Sequence, residues 1–316
     1  MKVKIKNKTF YHYVFYLLFV VNTSAYAQKN AQYNQFMYHA QSYNPAYVGM
    51  ALQKKLILFY RSQWIGIEGA PKTQTLAYSS PTRMKGLGIG FGLLKDQIGP
   101  TSETFFDLDL SYFIRISENS KMAFGLKGSV HLLEVNYSLL TQDLSIGTDP
   151  LLLGKADNRW SPNIGMGILF YKTDFYIGLS APSFLETLYF DRSSLSKSFN
   201  KLRIYAMSGF VRELNHHLLL RPSFILKIAV GAPLQLDLAA SLIFRNKVSF
   251  GISYRLKEAL GGLFGYQFSD SFFIGLSYDK SATNLGQYFF NNGSAEVIFR
   301  YNLSKVKGVK PPRFLF

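Results

Sequence analysis

Two carboxylates, Asp107 and Asp109, come nearest to a catalytic pair by type and spacing. Paired carboxylates can act as general acid and general base when their surroundings push their pKa values apart. They lie in a segment, 106–114, whose apolar residues alternate with polar ones. Residues two apart in a β-strand share one face. We therefore interpret the two carboxylates as the polar lining of a wet lumen, where they cost little, whereas a dry interior would make them costly.

No other group of residues forms a catalytic or metal-binding motif. The chain has no cysteine, which excludes thiol catalysis, disulfides and cysteine-ligated metals. The HExxH zinc pattern and the GxSxG nucleophile elbow do not occur in the sequence. We predict no enzyme, no cofactor and no metal site. The five histidines are scattered through the chain: His12, His39, His131, His216 and His217.

Glycines recur at every second position through 86–92. A nucleotide-binding turn would need them between a strand and a helix, whereas this spacing marks one strand face. Small residues on such a face let a barrel wall curve, or let a plug approach it closely.

The elements that carry these residues are strands. In 248–256, apolar residues alternate strictly with small or polar ones, as expected of strands with one apolar face. Aromatic residues make up 16% of the chain and charged residues 17%, and after the N-terminus no apolar run approaches the roughly 18 residues of a transmembrane helix. Fourteen candidate strands follow: 55–64, 72–80, 86–94, 103–115, 122–133, 163–171, 174–180, 202–211, 218–228, 234–244, 247–256, 262–268, 271–279 and 294–303.

The connections between these strands are sorted by length into odd-numbered and even-numbered ones. The longest connections, 134–162, 181–201 and 280–293, are all odd-numbered from the first hairpin, and the even-numbered ones are short. Outer-membrane barrels have an even strand number, short periplasmic turns and longer extracellular loops. The sequence therefore predicts an all-β fold, a transmembrane antiparallel β-barrel of about 14 strands with long extracellular loops, located in the cell outer membrane.

The two ends of the chain lie outside the predicted barrel, 55–303. Four lysines precede an apolar core at 13–21 and a small-x-small site that ends at Ala27. This pattern predicts a signal peptide at 1–27, with a membrane anchor as the alternative. An N-terminal arm, 28–54, leads into the first strand, and a basic tail, 304–316, is assigned to the periplasm.

The first hairpin holds the most distinctive residues of the chain. Glycine and proline break the strand pattern between two predicted strands, and a tryptophan stands where the first strand ends, a position typical of aromatic rings at a membrane–water boundary. The residues of this signature hairpin are Arg61, Gln63, Trp64, Gly66, Gly69 and Pro71.

The longest connection, 134–162, is too apolar for a solvated loop. Clustered exposed leucines indicate either burial or a partner, so we predict that this loop folds inward as a plug or binds a partner. The candidate residues are Leu139, Leu140, Leu144, Leu151, Leu152, Leu153 and Trp160.

Several stretches resemble the PorP/SprF family, outer-membrane proteins associated with the type IX secretion system and gliding motility of Bacteroidetes. They include QFMYHAQSYNPAYVG at 35–49, YRSQWIGIEGAPKTQTLAYSSP at 60–81, GLGIGFGLLKDQIGP at 86–100 and GSAEVIFRY at 293–301. The resemblance implies a barrel without catalytic residues that assists export or surface attachment of large adhesin-like substrates. It also implies as partners outer-membrane lipid, the type IX machinery, periplasmic peptidoglycan-linked components and the secreted substrate.

An outer-membrane channel for a small anionic or hydrophobic solute is the alternative. Basic residues on predicted lumen positions, such as Lys127, Lys227 and Arg255, would suit an anion. The net charge of +16 has a different explanation from nucleic-acid binding, because four of these charges belong to the leader and the others are scattered among strand ends and turns.

Overall fold

The computed structural model describes residues 32–50, 53–136, 159–185, 202–229, 232–282 and 292–303. None of the helices in these ranges is long and apolar enough to cross a membrane. The strands are β1 (Lys55–Ser62), β2 (Lys72–Pro81), β3 (Leu87–Ile98), β4 (Thr101–Arg115), β5 (Lys121–Val135), β6 (Arg159–Tyr171), β7 (Phe175–Ala181), β8 (Arg203–Phe210 and Arg212–Asn215), β9 (Leu218–Ala229), β10 (Gln235–Phe244), β11 (Val248–Arg255), β12 (Ala259–Gln267), β13 (Phe272–Ser281) and β14 (Ser294–Asn302).

The described strands form one closed antiparallel barrel of 14 strands, as the sequence predicted. Closure comes from pairing of the first strand with the last, in a register that runs from Lys55 opposite Asn302 to Ser62 opposite Ala295. Closing the sheet leaves no exposed strand edge, which would otherwise invite aggregation. The eighth strand is interrupted at Val211, whose N–H donates to the carbonyl oxygen of Asp174 in the neighbouring turn.

Each strand presents one face to lipid and one to the lumen. On β11, Phe250 and Ile252 are 60% and 65% exposed on the outside, whereas Ser249 and Ser253 are buried on the inside. This alternation arises because successive side chains of a strand point to opposite faces. The wall is therefore apolar outside, where lipid contacts it, and largely polar inside.

The two ends of the barrel differ in their connections. The loop end carries the long connections 63–71, 136–158, 182–202 and 282–293 together with the shorter 99–100, 230–234 and 256–258, and the short-turn end carries 82–86, 116–120, 172–174, 216–217, 245–247 and 268–271. Predicted and observed strand bounds agree within three residues, except that β3 ends four residues later, at Ile98, β8 ends four residues later, at Asn215, and β6 begins at Arg159, four residues earlier than expected. Pro162 obscured this start, because proline cannot donate to a strand ladder, yet it pairs with Val130 of β5.

The core of the protein lies inside the barrel, around the segment 32–50. This segment, called the plug below, makes three 3-10 turns at Phe36–Tyr38, Ala40–Ser42 and Pro45–Tyr47. The third turn begins at Asn44, whose side chain accepts a hydrogen bond from the Ala46 N–H, and a proline follows at the first helical position. Phe36 and Ala46 are fully buried. The lumen is therefore packed where the plug lies.

Candidate functional site

The plug is fastened at the loop end of the barrel by one carboxylate, that of Glu296. Its two oxygens accept the backbone N–H groups of Asn34, at 2.7 Å, and of Gln35, at 3.1 Å. The guanidinium of Arg61 bonds the same carboxylate and lies 2.9 Å from Asp279. Asp279 in turn accepts the side-chain amide of Asn34. The buried Glu296 carboxylate thus has both a cationic partner and backbone hydrogen bonds, which offset the cost of its burial.

A second ion pair lies next to this group. Arg255 contacts Asp237 at 3.2 Å and reaches the side-chain oxygen of Asn34 at 3.4 Å. The plug begins beside this pair, where the side chain of Gln32 donates to Gln235 at 2.9 Å. Arg255, one of the basic residues that the sequence suggested for anion binding, is therefore paired with an acid of the wall.

The predicted carboxylate pair faces the lumen but does not line a wet one. Lys127 lies 2.7 Å from Asp107 and 3.2 Å from Asp109. Gln41 of the plug donates to Asp109 at 3.0 Å, and Asp109 is only 2% exposed. The expectation of a solvated lumen is wrong at Asp109, because a lysine from the adjacent strand pairs with it and the plug covers it, whereas the side chain of Asp107 stays 22% exposed. An acid–base role loses its support, since both carboxylates are held in place as ion-pair acceptors.

The plug is held at the short-turn end by an aromatic and cationic contact. Arg221 donates to the hydroxyl of Tyr38 at 2.6 Å, and its guanidinium lies 4.5 Å from the centre of the same ring. Ser249 lies 3.4 Å from that hydroxyl, and Phe273 packs against the ring at 4.8 Å. Contacts of this kind between a guanidinium and an aromatic face are stabilising where water is excluded.

Glycines of the wall allow the plug backbone to approach closely. A side chain at Gly125 would collide with the backbone of Ala46, and one at Gly167 would collide with the side chain of Asn44. A side chain at Gly88 would lie 2.6 Å from the carbonyl oxygen of Val48. This agrees with the expectation that the alternating glycines let a plug come near. These contacts leave no room for any larger residue.

No group in the plug is set to titrate near neutral pH. Burial lowers the pKa of His39 to about 3, so the imidazole is neutral, and its Nε2 bonds the hydroxyl of Ser42. Burial also raises the pKa of Tyr33 and of Tyr43 above the usual value of a phenol. Among the described residues, no cluster of histidines and acids could hold a metal ion. The side chains of the plug therefore serve to pack the lumen.

The signature hairpin divides between the lumen and the loop end. Arg61 points inward to the plug anchor, and the Gln63 N–H donates to the Pro71 carbonyl at 2.9 Å to close the connection. Trp64 adopts φ 48°, a region that a bulky residue rarely occupies, and is 46% exposed. Gly66 and Gly69 have φ values of 100° and 71°, which glycine alone adopts without strain.

This hairpin is also tied to its neighbours at the loop end. The Ile65 N–H donates to the Gly293 carbonyl at 2.8 Å, and the Asn292 N–H returns a bond to Ile65. On the other side, the Gly99 N–H donates to the Gly69 carbonyl at 2.8 Å. The residues with positive φ therefore position the hairpin so that it hydrogen-bonds to the connections on both sides of it.

The predicted plug-or-partner loop lies mostly beyond the structure's described part. Trp160 stands on the outward face of β6, is 61% exposed, and stacks on Phe106 at 6.4 Å between ring centres. This is a position for an aromatic ring at the membrane boundary. Leu139, Leu140, Leu144, Leu151, Leu152 and Leu153 lie outside the described residues.

The segment that does fill the lumen was missed from the sequence. The run 33–47 is rich in tyrosine and carries Asn44-Pro45, but has neither strand nor helix periodicity. The side chains of Asn34 and Gln41 and the backbone N–H of Gln35 donate to barrel carboxylates. The number of aromatic residues in this run indicated burial, because a solvated arm does not need so many.

A closed antiparallel barrel with an apolar outer wall is the architecture of an outer-membrane protein. The family described as "Type IX secretion system membrane protein PorP/SprF" matches residues 25–301. The chain belongs to this family, as its hairpin and strand sequences had suggested. Membership places the protein in the outer membrane, in contact with lipid and with the type IX secretion machinery. No curated protein sequence matches the chain.

Solved structures with a similar fold are outer-membrane proteins. The CymD monoaromatic hydrocarbon channel is 11% identical, with a TM-score of 0.51 over 86% of this chain and 94% of its own. The Pseudomonas (P. putida) toluene transporter TodX is 10% identical, with a TM-score of 0.45 over 87% and 95% of the two chains. Omp33 of Acinetobacter baumannii is 8% identical, with a TM-score of 0.45 over 80% and 99%. These likenesses show the barrel fold, and the family is one of secretion-system membrane proteins.

Proposed function

We propose that the protein is a non-enzymatic partner in type IX secretion that assists the export or the surface attachment of large adhesin-like substrates. Membership of the family supports a role in the type IX machinery. One structural observation favours a barrel that binds partners over a barrel that conducts solutes. The plug contacts wall residues on opposite sides of the barrel, such as Glu296 on β14 and Ser180 on β7, and most of its own side chains are buried. A barrel filled in this way offers its outer surfaces for binding instead of its lumen.

The channel alternative loses its main support in the same contacts. Two of the three cations that suggested an anion pathway are neutralised, Lys127 by two aspartates and Arg255 by Asp237. An anion would therefore meet ion pairs already formed. The likeness to hydrocarbon channels extends to the fold alone, at 11% identity.

The proposal also assigns the individual partners to parts of the barrel. The loop 134–162 is assigned as the contact for the exported protein, because the lumen position that a folded-in loop would take is held by the plug. Peptidoglycan-linked components are assigned to the short-turn end, together with the tail 304–316. Removal of residues 1–27 before Gln28 is the first step, and N-terminal sequencing of the membrane form tests it.

A deletion strain tests the proposed function. Cells lacking the gene should release, or retain inside, proteins that carry type IX sorting domains, and the intact gene should restore them to the surface. Quantitative proteomics of surface and medium measures this distribution. A matched variant, with Leu151, Leu152 and Leu153 changed to serine, should assemble normally yet fail to restore surface attachment. Unchanged surface proteins in the deletion strain would refute the function.

A further inference from the structure

The outer wall of the barrel carries a deep apolar groove between β3 and β8. It encloses about 800 Å³. Its walls are aliphatic and aromatic side chains that stay half exposed, among them Leu110 at 52%, Leu126 at 62% and Met166 at 53%. Leu87, Tyr112 and Phe124 pair in one row across three strands and form the edge nearer the short-turn end. A smooth barrel wall has no such depression.

The floor of the groove is the part of the wall on which the plug docks. Ser111 and Ser180 line the groove and donate on their inner side to the plug carbonyls of Val48 and Tyr43, at 2.9 and 2.8 Å. Two glycines of the floor stand against the plug, Gly125 against the backbone of Ala46 and Gly167 against the side chain of Asn44. The wall is close to the plug backbone at these floor residues, and the groove lies on their outer side.

Basic side chains stand below the groove at the short-turn end. Arg83 and Lys85 lie in the turn before β3, Lys172 follows β6, and all three are exposed, whereas Arg115 ends β4 on the lumen face that carries Asp109 and Ser111. Lys85 is two residues before Leu87, or at most about 7 Å at the rise of a strand. A negatively charged group at this rim would be attracted from the edge of the groove.

We propose that the groove binds an anionic glycerophospholipid of the periplasmic leaflet. Its acyl chains lie in the apolar groove, where the half-exposed leucines lose contact with disordered solvent or detergent. Its phosphate lies at the rim formed by Arg83, Lys85 and Lys172. Charge decides between this occupant and a neutral lipid, because the rim is cationic while the groove alone would accept any hydrocarbon chain.

Native mass spectrometry of the full-length protein tests the proposal. The protein is purified in neutral detergent and mixed with phosphatidylglycerol or phosphatidylcholine of the same chains. The native protein should retain phosphatidylglycerol about tenfold more than phosphatidylcholine, an ordinary difference for a few charge contacts. Equal retention of the two lipids would overturn the proposal.

Two sets of variants separate the groove from its rim. Leu126→Trp fills the groove and should abolish retention, whereas Ile252→Trp, on the outer face of β11, should leave it unchanged. Lys85→Glu with Lys172→Glu should remove the preference for phosphatidylglycerol, and Arg245→Glu, in a short turn before β11, should not. Retention by Leu126→Trp, or equal loss in Ile252→Trp, would refute the site. The charge variants decide the matter if Leu126→Trp does not fold.

A crosslink identifies a competing occupant. A benzophenone attached to Leu126→Cys, in a chain without native cysteine, should give a lipid adduct in isolated outer membranes. A protein adduct in its place would show that a neighbouring protein covers the groove and would overturn the proposal.

Discussion

The guanidinium of Arg61 lies 2.9 Å from the carboxylate of Asp279, and neither side chain is more than 5% exposed. The pair spans from β1 to β13 over the intervening strand β14, whose Glu296 also bonds Arg61. Because Glu296 accepts two backbone N–H groups of the plug, this one arginine supports both the closure of the barrel and the start of the plug. The most distinctive hairpin of the sequence therefore has a lumenal role besides its surface one.

Replacing Arg61 with alanine should destabilise the protein by about 3–5 kcal/mol, because two carboxylates would remain buried without their cation. The free energy of unfolding in urea, followed by heat-modifiable migration, measures the loss. Arg115→Ala, which removes an exposed arginine of the same type from the end of β4, should change stability little. Equal stability of the two variants would mean that Arg61 does not hold the anchor.

Gly125→Ala should loosen the plug, because the added methyl group collides with the backbone of Ala46. Such overpacking costs about 1–3 kcal/mol. A cysteine introduced at Met37, which is 7% exposed in the plug, should then react faster with a thiol reagent. Gly128→Ala is the control, since a side chain there meets nothing within 4 Å. The same rate in both backgrounds would contradict the close docking.

Ile252→Lys should cost about 2–4 kcal/mol, because this outward position on β11 lies away from both barrel ends, in the hydrocarbon of the membrane. Leu256→Lys, one residue beyond the loop end of the same strand, should cost about 0–1 kcal/mol near the interface. Refolding into lipid vesicles measures the difference. Two equal costs would contradict the position of the membrane along β11.

Cysteines at the two barrel ends test its orientation in the cell. Glu68→Cys, in the exposed signature hairpin, should react on whole cells with a thiol reagent that cannot cross the outer membrane. Asn246→Cys, in the turn 245–247, should react only after the outer membrane is permeabilised. The reverse pattern would place the long loops in the periplasm.

The barrel was predictable because its causes are local or periodic. Strict alternation, as at Phe250 and Ile252, follows from the strand backbone itself, and the parity of long connections follows from antiparallel order. These signals predicted the strand bounds to within three residues, apart from the ends of β3 and β8 and the start of β6 at Arg159.

The plug was not predictable because its structure depends on distant partners. Asn34 meets Glu296, 262 residues away, and Arg61 meets Asp279, 218 residues away. Three 3-10 turns have too few hydrogen bonds to impose a period on the sequence. The face of Asp107 and Asp109 could be predicted, whereas their neutralisation by Lys127 and the plug cover at Gln41 could not.

Affinity purification tests the central claim most directly, that this plugged barrel is a partner in type IX secretion. The tagged protein is purified from detergent-solubilised outer membranes and compared by quantitative mass spectrometry with a tagged general porin of equal abundance from the same cells. The account predicts enrichment of type IX machinery and of substrates with C-terminal sorting domains in the first sample only. Recovery of neither, from a folded protein that gives a steady open conductance in planar bilayers, would contradict the account and favour a channel.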